Sequence, residues 1–275
     1  MNLADAGEFG LLAELERRGL ARGIEHDAAE VGDGLVVTQD ALVEGVHFLL
    51  DRISWRDLGF RAAAVNLSDL AASGAMPECL VVTLGAPSET EVDAVLELYE
   101  GIAEAEVPVV GGDTTAAPQL VLSVTAIGRS ERVPGRAGAK PGDRLVVTGP
   151  LGGAGAAFRD GRYLRPPLRL EEGRALAREA HAMLDISDGL AQDARHIADR
   201  SGCRLVIDLD RVPLAPGATV DDLGFGEDYE LLAAVLDPSG FAEIGCCQEG
   251  DGVELLLAGK PVELRGYRHF RQGQQ

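Results

Sequence analysis

The sequence predicts a protein of the α+β class with two domains, and three observations lead to that prediction. A chain of 275 residues with 46% hydrophobic content can fill one large core or two medium ones. Helical and strand patterns mix without the strict βαβ alternation of a doubly wound sheet. A turn cluster opens the Gly- and Ala-rich stretch 136–157 near the middle of the chain. We therefore predict an N-terminal domain over residues 1–132 and a C-terminal α+β domain over 133–275.

The first domain is predicted to begin with a helix and to continue with strands. Apolar residues at helical spacing predict an amphipathic helix over about residues 7–19. Residues 34–49 are β-rich, with a predicted break near Gln39–Asp40. Residues 79–87 form a run rich in Val and Leu that ends in a Gly/Pro turn, which is typical of a strand.

Two further helices are predicted in this domain, each with a start signal. Residues 54–74 have an Ala-rich middle, with Ser54 as the N-cap and Gly74 at the C′ position. Residues 88–105 follow, with Ser88 as the predicted N-cap and acidic residues in the first turn. Both predicted helices therefore begin with a serine whose side chain could accept a hydrogen bond from a free backbone N–H group.

The remaining pattern predicts more strands and two helices. Residues 108–130 indicate a strand, a glycine-rich turn and a second strand. The stretch MLDISDGL (183–190) precedes an apolar helical stripe, and either Ser187 or Asp188 could cap that helix. That helix is predicted to end at about residue 200. The other predicted elements of the second domain are a strand over 144–149, a helix over 171–181, and strands over 203–209, 228–236 and 253–259.

Charge and composition exclude several classes of function. The chain has 25 Lys and Arg against 45 Asp and Glu, a formal net charge of −20. Because nucleic acids and anionic membranes bind basic surfaces, neither is expected as a partner. The sequence lacks an apolar run of about 18 residues and a signal-peptide pattern at its start. Four cysteines without CxxC spacing are expected to be reduced, so we predict a cytoplasmic protein.

Asp69 is the aspartate that a structural role explains least well. At helical spacing Leu58, Ala62, Val65 and Asp69 share one face, so a carboxylate continues an apolar stripe. It also lies in the last two turns of its helix, where the dipole disfavours an anion. A nearby cation would offset both costs. Lys or Arg could serve, but the chain has few, so a divalent metal is the sharper hypothesis, and oxygen ligands favour Mg²⁺.

Other aspartates follow apolar segments, and two segments are rich in glycine. Backbone N–H groups of GGDTT (111–115) and GPLGGAG (149–155) could approach an anion, although turns are the usual reason for such sequences. The sequence contains no P-loop, no dinucleotide fingerprint and no GxSxG, so any nucleotide site is expected to depend on metal. The aspartates in question, each of which could instead be a cap or a turn former, are Asp27, Asp40, Asp113, Asp185 and Asp188.

Several motifs in one order resemble the thiamine-monophosphate kinase family of the aminoimidazole ribonucleotide synthetase superfamily. Five of them together are highly specific. They are VEGVHF (43–48), NLSD with the following GAMP (66–77), GGDTT (111–115), DISDGL (185–190) and GEDYELL (226–232). Weaker matches, such as GEFGLL (7–12) and GRAGAKPGD (135–143), extend the resemblance through nearly the whole chain.

The resemblance implies ATP-dependent phosphorylation of thiamine monophosphate to thiamine diphosphate with several Mg²⁺ ions. It implies a homodimer in which the N-terminal sheets pair across the interface, with the active site in the cleft between domains. No amino-acid side chain is expected to act as a catalytic base, because the acceptor phosphate is largely ionised at neutral pH. Direct in-line transfer, without a phosphoenzyme, is the mechanism we expect.

The same resemblance implies roles for individual residues. The implied metal ligands are Asp27, Thr38, Asp40, Asp69, Asp113, Asp185 and Asp188. The implied ATP contacts are Gly112, Asp113, Arg136 and Ser187. His47, Glu227 and the aromatic Tyr267 are implied contacts of thiamine monophosphate, although on sequence alone His47 would be read as a core or strand histidine.

Departures from the family pattern keep two alternatives open. Glu25–His26 replaces the usual Gly-Asp before Asp27, Gln39 replaces a small hydroxyl residue, and Phe225 replaces a glycine. One alternative is another ATP-using enzyme of the superfamily, although the cysteines that selenophosphate synthetase or the hydrogenase maturation factor would need are missing. The other is a degenerate nucleotide-binding protein without catalysis.

Overall fold

Two β-sheets organise the chain. The structure is a computed structural model that describes residues 2–22, 26–238, 240–264 and 266. Within these residues the first sheet has five strands in the order β1-β2-β5-β3-β4. Its strands are β1 (Ala29–Gly32), β2 (Leu35–Val43), β3 (Met76–Ala86), β4 (Val109–Ala116) and β5 (Val121–Arg129).

The second sheet has seven described strands and contains the middle and end of the chain. Its order is β12-β11-β8-β10-β6-β9-β7, and the pairings are antiparallel except between β8 and β11. The strands are β6 (Arg144–Val147), β7 (Ala182–Asp185), β8 (Arg204–Asp208), β9 (Leu231–Val235), β10 (Ala242–Gln248), β11 (Gly252–Leu257) and β12 (Lys260–Val262). Two mixed sheets with flanking helices confirm the predicted α+β class.

Six α-helices accompany the sheets in the described chain. Two 3₁₀ turns, Leu209–Arg211 and Val220–Gly224, lie in the second half. The helices are α1 (Leu3–Arg17), α2 (Trp55–Ala72), α3 (Val92–Ala103), α4 (Gly153–Arg159), α5 (Leu170–Ala177) and α6 (Leu190–Ser201). None of the described helices is long and apolar enough to cross a membrane.

Helix α2 begins and ends as its sequence predicts. The Ser54 side chain accepts a hydrogen bond from the Asp57 N–H at 3.0 Å, and Gly74 adopts a φ of 63° just after the helix. Gly59 allows α2 to approach α3 closely, because a Cβ there would collide with the carbonyl oxygen of Leu98. The small residues thus let α2 pack tightly between the first sheet and α3.

Other local predictions are wrong, and tertiary pairing explains why. Strand β2 runs through Gln39–Asp40 without a break, because β5 pairs with it along its whole length. The predicted turn at 111–115 is instead part of β4, which pairs in parallel with β3. Ser88 does not cap α3; the helix begins later, with Glu91 at the N-cap.

The end of α2 belongs to a core shared by both domains. Ala71 and Ala72 pack with residues of the second sheet and of α5, including Met183 and Leu176. Gly173 of α5 lies against the backbone of Ala71, where a Cβ would collide with the carbonyl oxygen. The two domains therefore meet along α2.

Candidate active site

Helix α2 carries polar side chains on a buried face at NLSD (66–69). The Asn66 amide oxygen accepts a hydrogen bond from the Asp40 N–H of β2 at 2.9 Å. The Ser68 hydroxyl donates to Asp185 Oδ2 at 2.6 Å, although Asp185 lies at the end of β7 in the second domain. The Thr38 hydroxyl of β2 donates to Asp69. One turn of α2 thus reaches both β2 and β7.

Three carboxylates from three parts of the chain converge at this turn. One oxygen of each of Asp27, Asp69 and Asp185 lies within 4.8 Å of the others. Asp27 precedes β1, Asp69 is on α2 and Asp185 ends β7. The triplet therefore joins the two domains, and with Thr38, which is bonded to Asp69, the structure brings together four of the seven predicted metal ligands.

The surroundings of this triplet disfavour negative charge. Burial, together with repulsion by Asp40, Asp185 and Asp27, raises the pKa of Asp69 well above its usual range. Burial and repulsion by Asp27 and Asp40 raise the pKa of Asp185 to about 8, although Ser68 and Arg136 act in the opposite direction. A hard divalent cation would relieve the repulsion between these carboxylates, and carboxylate oxygens are the ligands that Mg²⁺ prefers, so the residues fit Mg²⁺.

Arg136, a predicted ATP contact, binds a predicted metal ligand. Its Nε donates to Asp27 Oδ1 at 2.9 Å, and its Nη2 donates to the same oxygen. The Asp27 side chain is almost fully buried in this pair. Arg136 follows the first domain in sequence, so the ion pair also links the two halves of the molecule at the acidic triplet.

Asp188 lies only three residues after Asp185 but joins a different group. One ligand atom of Asp188 lies within 4.8 Å of atoms of Asp193 and His196. Asp193 Oδ2 accepts hydrogen bonds from the N–H groups of Asp188 and Gly189, both at 3.0 Å. Burial, followed by repulsion from Asp188 and Asp185, raises the pKa of Asp193. Asp193 thereby fixes the loop that presents Asp188.

The predicted cap of α6 is wrong. Gly189, with a φ of 110°, is the N-cap, so neither Ser187 nor Asp188 occupies the cap position. The free N–H groups at this end are instead met by Asp193, which reaches back from inside the helix. The N-cap position therefore does not account for the Ser187 or Asp188 side chain in DISDGL.

One predicted substrate contact, Glu227, is bonded to this loop, and another, His47, lies shortly after the end of β2. The Ser187 carbonyl accepts the Glu227 N–H at 2.8 Å, which joins the DISDGL and GEDYELL segments. Glu227, with a φ of 58°, forms an ion pair with Arg61 of α2, whose side chain is 2% exposed. His47 Nδ1 accepts the Val43 N–H at 3.0 Å. In neutral His47 the proton is therefore on Nε2, which makes that nitrogen a donor.

The remaining predicted residues lie elsewhere. Asp113 and Gly112 are on β4, an edge strand with every residue exposed. In register, Asp40 pairs with Val124, Val124 with Val82, and Val82 with Gly112. Three strand spacings, about 14 Å, therefore separate Gly112, the residue before Asp113, from the strand position of Asp40 in the same chain.

Tyr267, the last predicted substrate contact, lies outside the described residues, as does Glu25 of the altered segment before Asp27. Phe225, which replaces a family glycine, packs its ring against Phe158 with centroids 5.0 Å apart. These two rings line an open pocket of about 550 Å³ beside the GEDYELL segment.

One glycine-rich segment does bind an anion, but the anion belongs to the protein. Asp228 accepts hydrogen bonds from the N–H groups of Gly152 at 2.7 Å and Ala154 at 3.2 Å, at the start of α4. The neighbouring Glu230 accepts two bonds from Arg169, both at 2.7 Å, and one from Thr148 at 2.6 Å. The acidic residues of GEDYELL thus hold the second domain together.

Sequence reasoning did not identify Asn66, Ser68, Arg61 or Asp193 as parts of the site. A signal existed for three of them, since Asn66, Ser68 and Arg61 interrupt the Ala- and Leu-rich faces of α2. Their partners belong to other elements, so the interruptions alone did not indicate what they contact.

Comparisons with known proteins agree with this architecture. Residues 25–130 match the AIR synthase related protein N-terminal domain, and residues 140–244 match the corresponding C-terminal domain. The thiamine-monophosphate kinase of Aquifex aeolicus is 34% identical over 98% of this chain and 100% of its own length. The thiamine-monophosphate kinase of Mycobacterium tuberculosis is 37% identical over 98% of this chain and 93% of its own.

A solved structure described as AaThiL complexed with AMPPCP and TMP superimposes with a TM-score of 0.90. It is 33% identical and covers 98% of this chain and 99% of its own. Coverage of this size extends over both domains. The chain therefore belongs to the thiamine-monophosphate kinase family of AIR synthase related proteins.

Proposed function

We propose that this protein transfers the γ-phosphoryl group of ATP to thiamine monophosphate and so forms thiamine diphosphate. The observation that carries the proposal is the triplet Asp27, Asp69 and Asp185, in which carboxylates from both domains converge and repel one another. Such a group needs cations, and clustered cations are what a reaction between two polyanions requires. A family member bound to AMPPCP and TMP supports the choice of both substrates.

Individual residues take the roles that the family resemblance implies. We propose that ATP is contacted by Gly112, Asp113, Arg136 and Ser187, and thiamine monophosphate by His47, Glu227 and Tyr267. The Mg²⁺ ligands are proposed to be Asp27, Thr38, Asp40, Asp69, Asp113, Asp185 and Asp188. Bound Mg²⁺ would supply neutralisation of phosphate charge and in-line orientation of the two substrates.

Two protein groups suit this chemistry. His47 can present an Nε2–H donor to an anionic phosphate oxygen, because its Nδ1 is already engaged by Val43. Arg136 brings a guanidinium that suits phosphate oxygens as well as Asp27. Because the acceptor phosphate is already ionised, the chain needs to position and desolvate it rather than remove a proton. We infer direct transfer without an aspartyl-phosphate.

The exposed edge strand β4 supports a homodimer. Val110 is 63% exposed and Val109 is 38% exposed on a strand with a free edge. Edge strands of this kind are normally covered, charged or paired. We propose that a second copy pairs with the first sheet near β4, which would place Gly112 and Asp113 close to the interface. The proposed location of the enzyme is the cytoplasm.

The proposal is tested by incubating the purified protein with ATP, Mg²⁺ and thiamine monophosphate and separating the products by chromatography. Thiamine diphosphate and ADP are expected in equal amounts, with none of either when thiamine monophosphate or Mg²⁺ is omitted. Acid quenching followed by phosphoprotein detection checks for a covalent intermediate, and none is expected. Mg²⁺-dependent ATP binding without ADP formation would instead indicate a non-catalytic nucleotide-binding protein.

A further inference from the structure

Two buried polar side chains on α2 have no role of their own in the proposed chemistry. Asn66 is 0% exposed and Ser68 is 1% exposed, on a helix otherwise rich in alanine and leucine. Burying a polar group is unfavourable unless it is hydrogen-bonded, and alanine would fit a helix interior at lower cost. Their hydrogen-bond partners therefore indicate what these two residues do.

Ser68 binds across the domain boundary. A buried helical serine commonly bonds back to a carbonyl one turn earlier. Ser68 instead donates to Asp185 Oδ2 at 2.6 Å, a length typical of a hydroxyl bonded to a carboxylate. The bond fixes the rotation of the Asp185 carboxylate and its distance from α2. Since Asp69 follows Ser68 directly, the same turn of helix sets the separation between Asp69 and Asp185.

Asn66 performs the matching task within the first domain. On the edge of β2 opposite β5, strand β1 pairs only over Leu35–Val37, so backbone groups farther along that edge need other partners. The Asn66 amide oxygen accepts the Asp40 N–H at 2.9 Å, and the amide nitrogen donates to the Ala62 carbonyl at 2.9 Å. Both ends of the amide are thereby fixed, which holds the backbone of Asp40 at a set distance from α2.

We propose that Asn66 and Ser68 are positioning residues that set the spacing of the cation-binding carboxylates, Asn66 for the first domain and Ser68 across to the second. The inference rests on the proposed function, because it assumes that the acidic triplet binds a divalent cation. Groups that orient metal ligands through hydrogen bonds typically change metal affinity 10- to 100-fold when they are removed.

The test measures binding of Mn²⁺ alone, without nucleotide, by electron paramagnetic resonance. Ser68→Ala is expected to weaken Mn²⁺ binding about 10-fold or more. Ser68→Cys keeps the side-chain volume but is a poor hydrogen-bond donor, so it should weaken binding similarly. Asn66→Leu removes the acceptor of the Asp40 N–H and should also weaken binding. In activity assays the Mg²⁺ concentration for half-maximal rate should rise, with turnover recovering at saturating Mg²⁺.

Ser130→Ala is the matched control. Ser130 is also a buried serine near the domain boundary, and its hydroxyl donates to the Arg132 carbonyl at 2.8 Å, away from the triplet. Its Mn²⁺ affinity should stay within twofold of the wild type, and thermal unfolding confirms that each variant is folded. Wild-type affinity in Ser68→Ala, or full recovery in Ser68→Cys, would overturn the positioning role alone. Failure of the wild type to bind Mn²⁺ would overturn the metal site itself and this inference with it.

Discussion

Asp228 and Asp185 are both buried carboxylates near the middle of the molecule, yet their surroundings differ. At Asp228, burial raises the pKa to about 6, while the N–H groups of Gly152 and Ala154 partly offset the burial. At Asp185, burial raises the pKa to about 8, with Asp27 among the neighbours that add to the rise. Asp228 accepts hydrogen bonds from backbone N–H groups, whereas Asp185 lies beside further carboxylates.

This difference separates structural acids from functional ones. At Asp228 the backbone N–H bonds offset part of the cost of burying the carboxylate. A carboxylate held against others costs stability until a cation arrives, and such costs are retained mainly at functional sites. Burial alone does not distinguish the two, because Asp228 is 7% exposed and Asp185 is 4% exposed. The neighbouring groups distinguish the two residues, because N–H donors contact Asp228 and carboxylates lie beside Asp185.

The substitution Asp69→Asn, in the acidic triplet, is expected to have the largest effect, and that effect is on enzymatic activity. Thiamine diphosphate formation is expected to fall about 10³-fold, equivalent to about 4 kcal/mol of activation free energy, because a cation ligand is lost. The free energy of unfolding without metal should stay equal or rise, because repulsion within the triplet is relieved. Steady-state assays and urea unfolding measure the two quantities.

Asp199→Asn is the control for that experiment, since Asp199 is exposed on α6 and lies outside the triplet. It should leave both activity and stability close to those of the wild type. Full activity in Asp69→Asn would mean that this aspartate is structural, like Asp228.

The opposite pattern is expected at Asp228. Asp228→Ala leaves the N–H groups of Gly152 and Ala154 without their acceptor, so the free energy of unfolding should fall by about 2–4 kcal/mol. Asp228→Asn keeps one acceptor oxygen and should lose less. Urea unfolding curves measure both variants. A loss below about 0.5 kcal/mol in Asp228→Ala would remove the distinction between the two kinds of acid.

Per pH unit, the smallest effect, and the one that sharpens the comparison, is the pH dependence of stability without metal. Because the folded-state pKa of Asp185 is raised from 3.8 to about 8, the folded protein holds a proton that the unfolded chain releases. This contribution to stability is present at low pH and is lost as pH rises from about 4 to 8, with a slope of at most about 1.4 kcal/mol per pH unit per proton.

Thermal unfolding across that range, with and without Mg²⁺, tests the sign. Saturating Mg²⁺ should reduce or reverse the decline, because the ion binds the deprotonated carboxylates. Asp185→Asn should lose most of the pH dependence that this residue contributes. Stability that rises steadily from pH 4 to 8 in EDTA would contradict the raised pKa.

Much of the site was predictable because its signals are local. Ser54 and Gly74 define α2 from sequence, and Asp69 was singled out by its place on an apolar face near the helix end. What failed depended on distant partners. Nothing near GGDTT (111–115) shows that β3 will pair with it, and nothing before Asp193 shows that a residue inside α6 will take the place of the cap.

The family resemblance supplied residues that local reasoning left open, but it did not supply their contacts. It named Arg136 and Glu227 as ligand contacts, whereas the structure gives both of them protein partners, Asp27 and Arg61. Both partnerships cross between the domains, which are far apart in sequence. Physical reasoning from a single chain segment cannot anticipate contacts of this kind.

The close approach of α5 to α2 at Gly173 has a consequence for how the enzyme tolerates mutation. A methyl group added at Gly173 would collide with the Ala71 carbonyl oxygen and push α5 away from α2. The added group would carry no charge. Ala71 lies two residues after Asp69, so the collision falls on the end of α2 that carries one carboxylate of the triplet. In a random mutagenesis screen, Gly173→Ala is therefore expected among the inactive variants that still fold, beside the aspartates themselves.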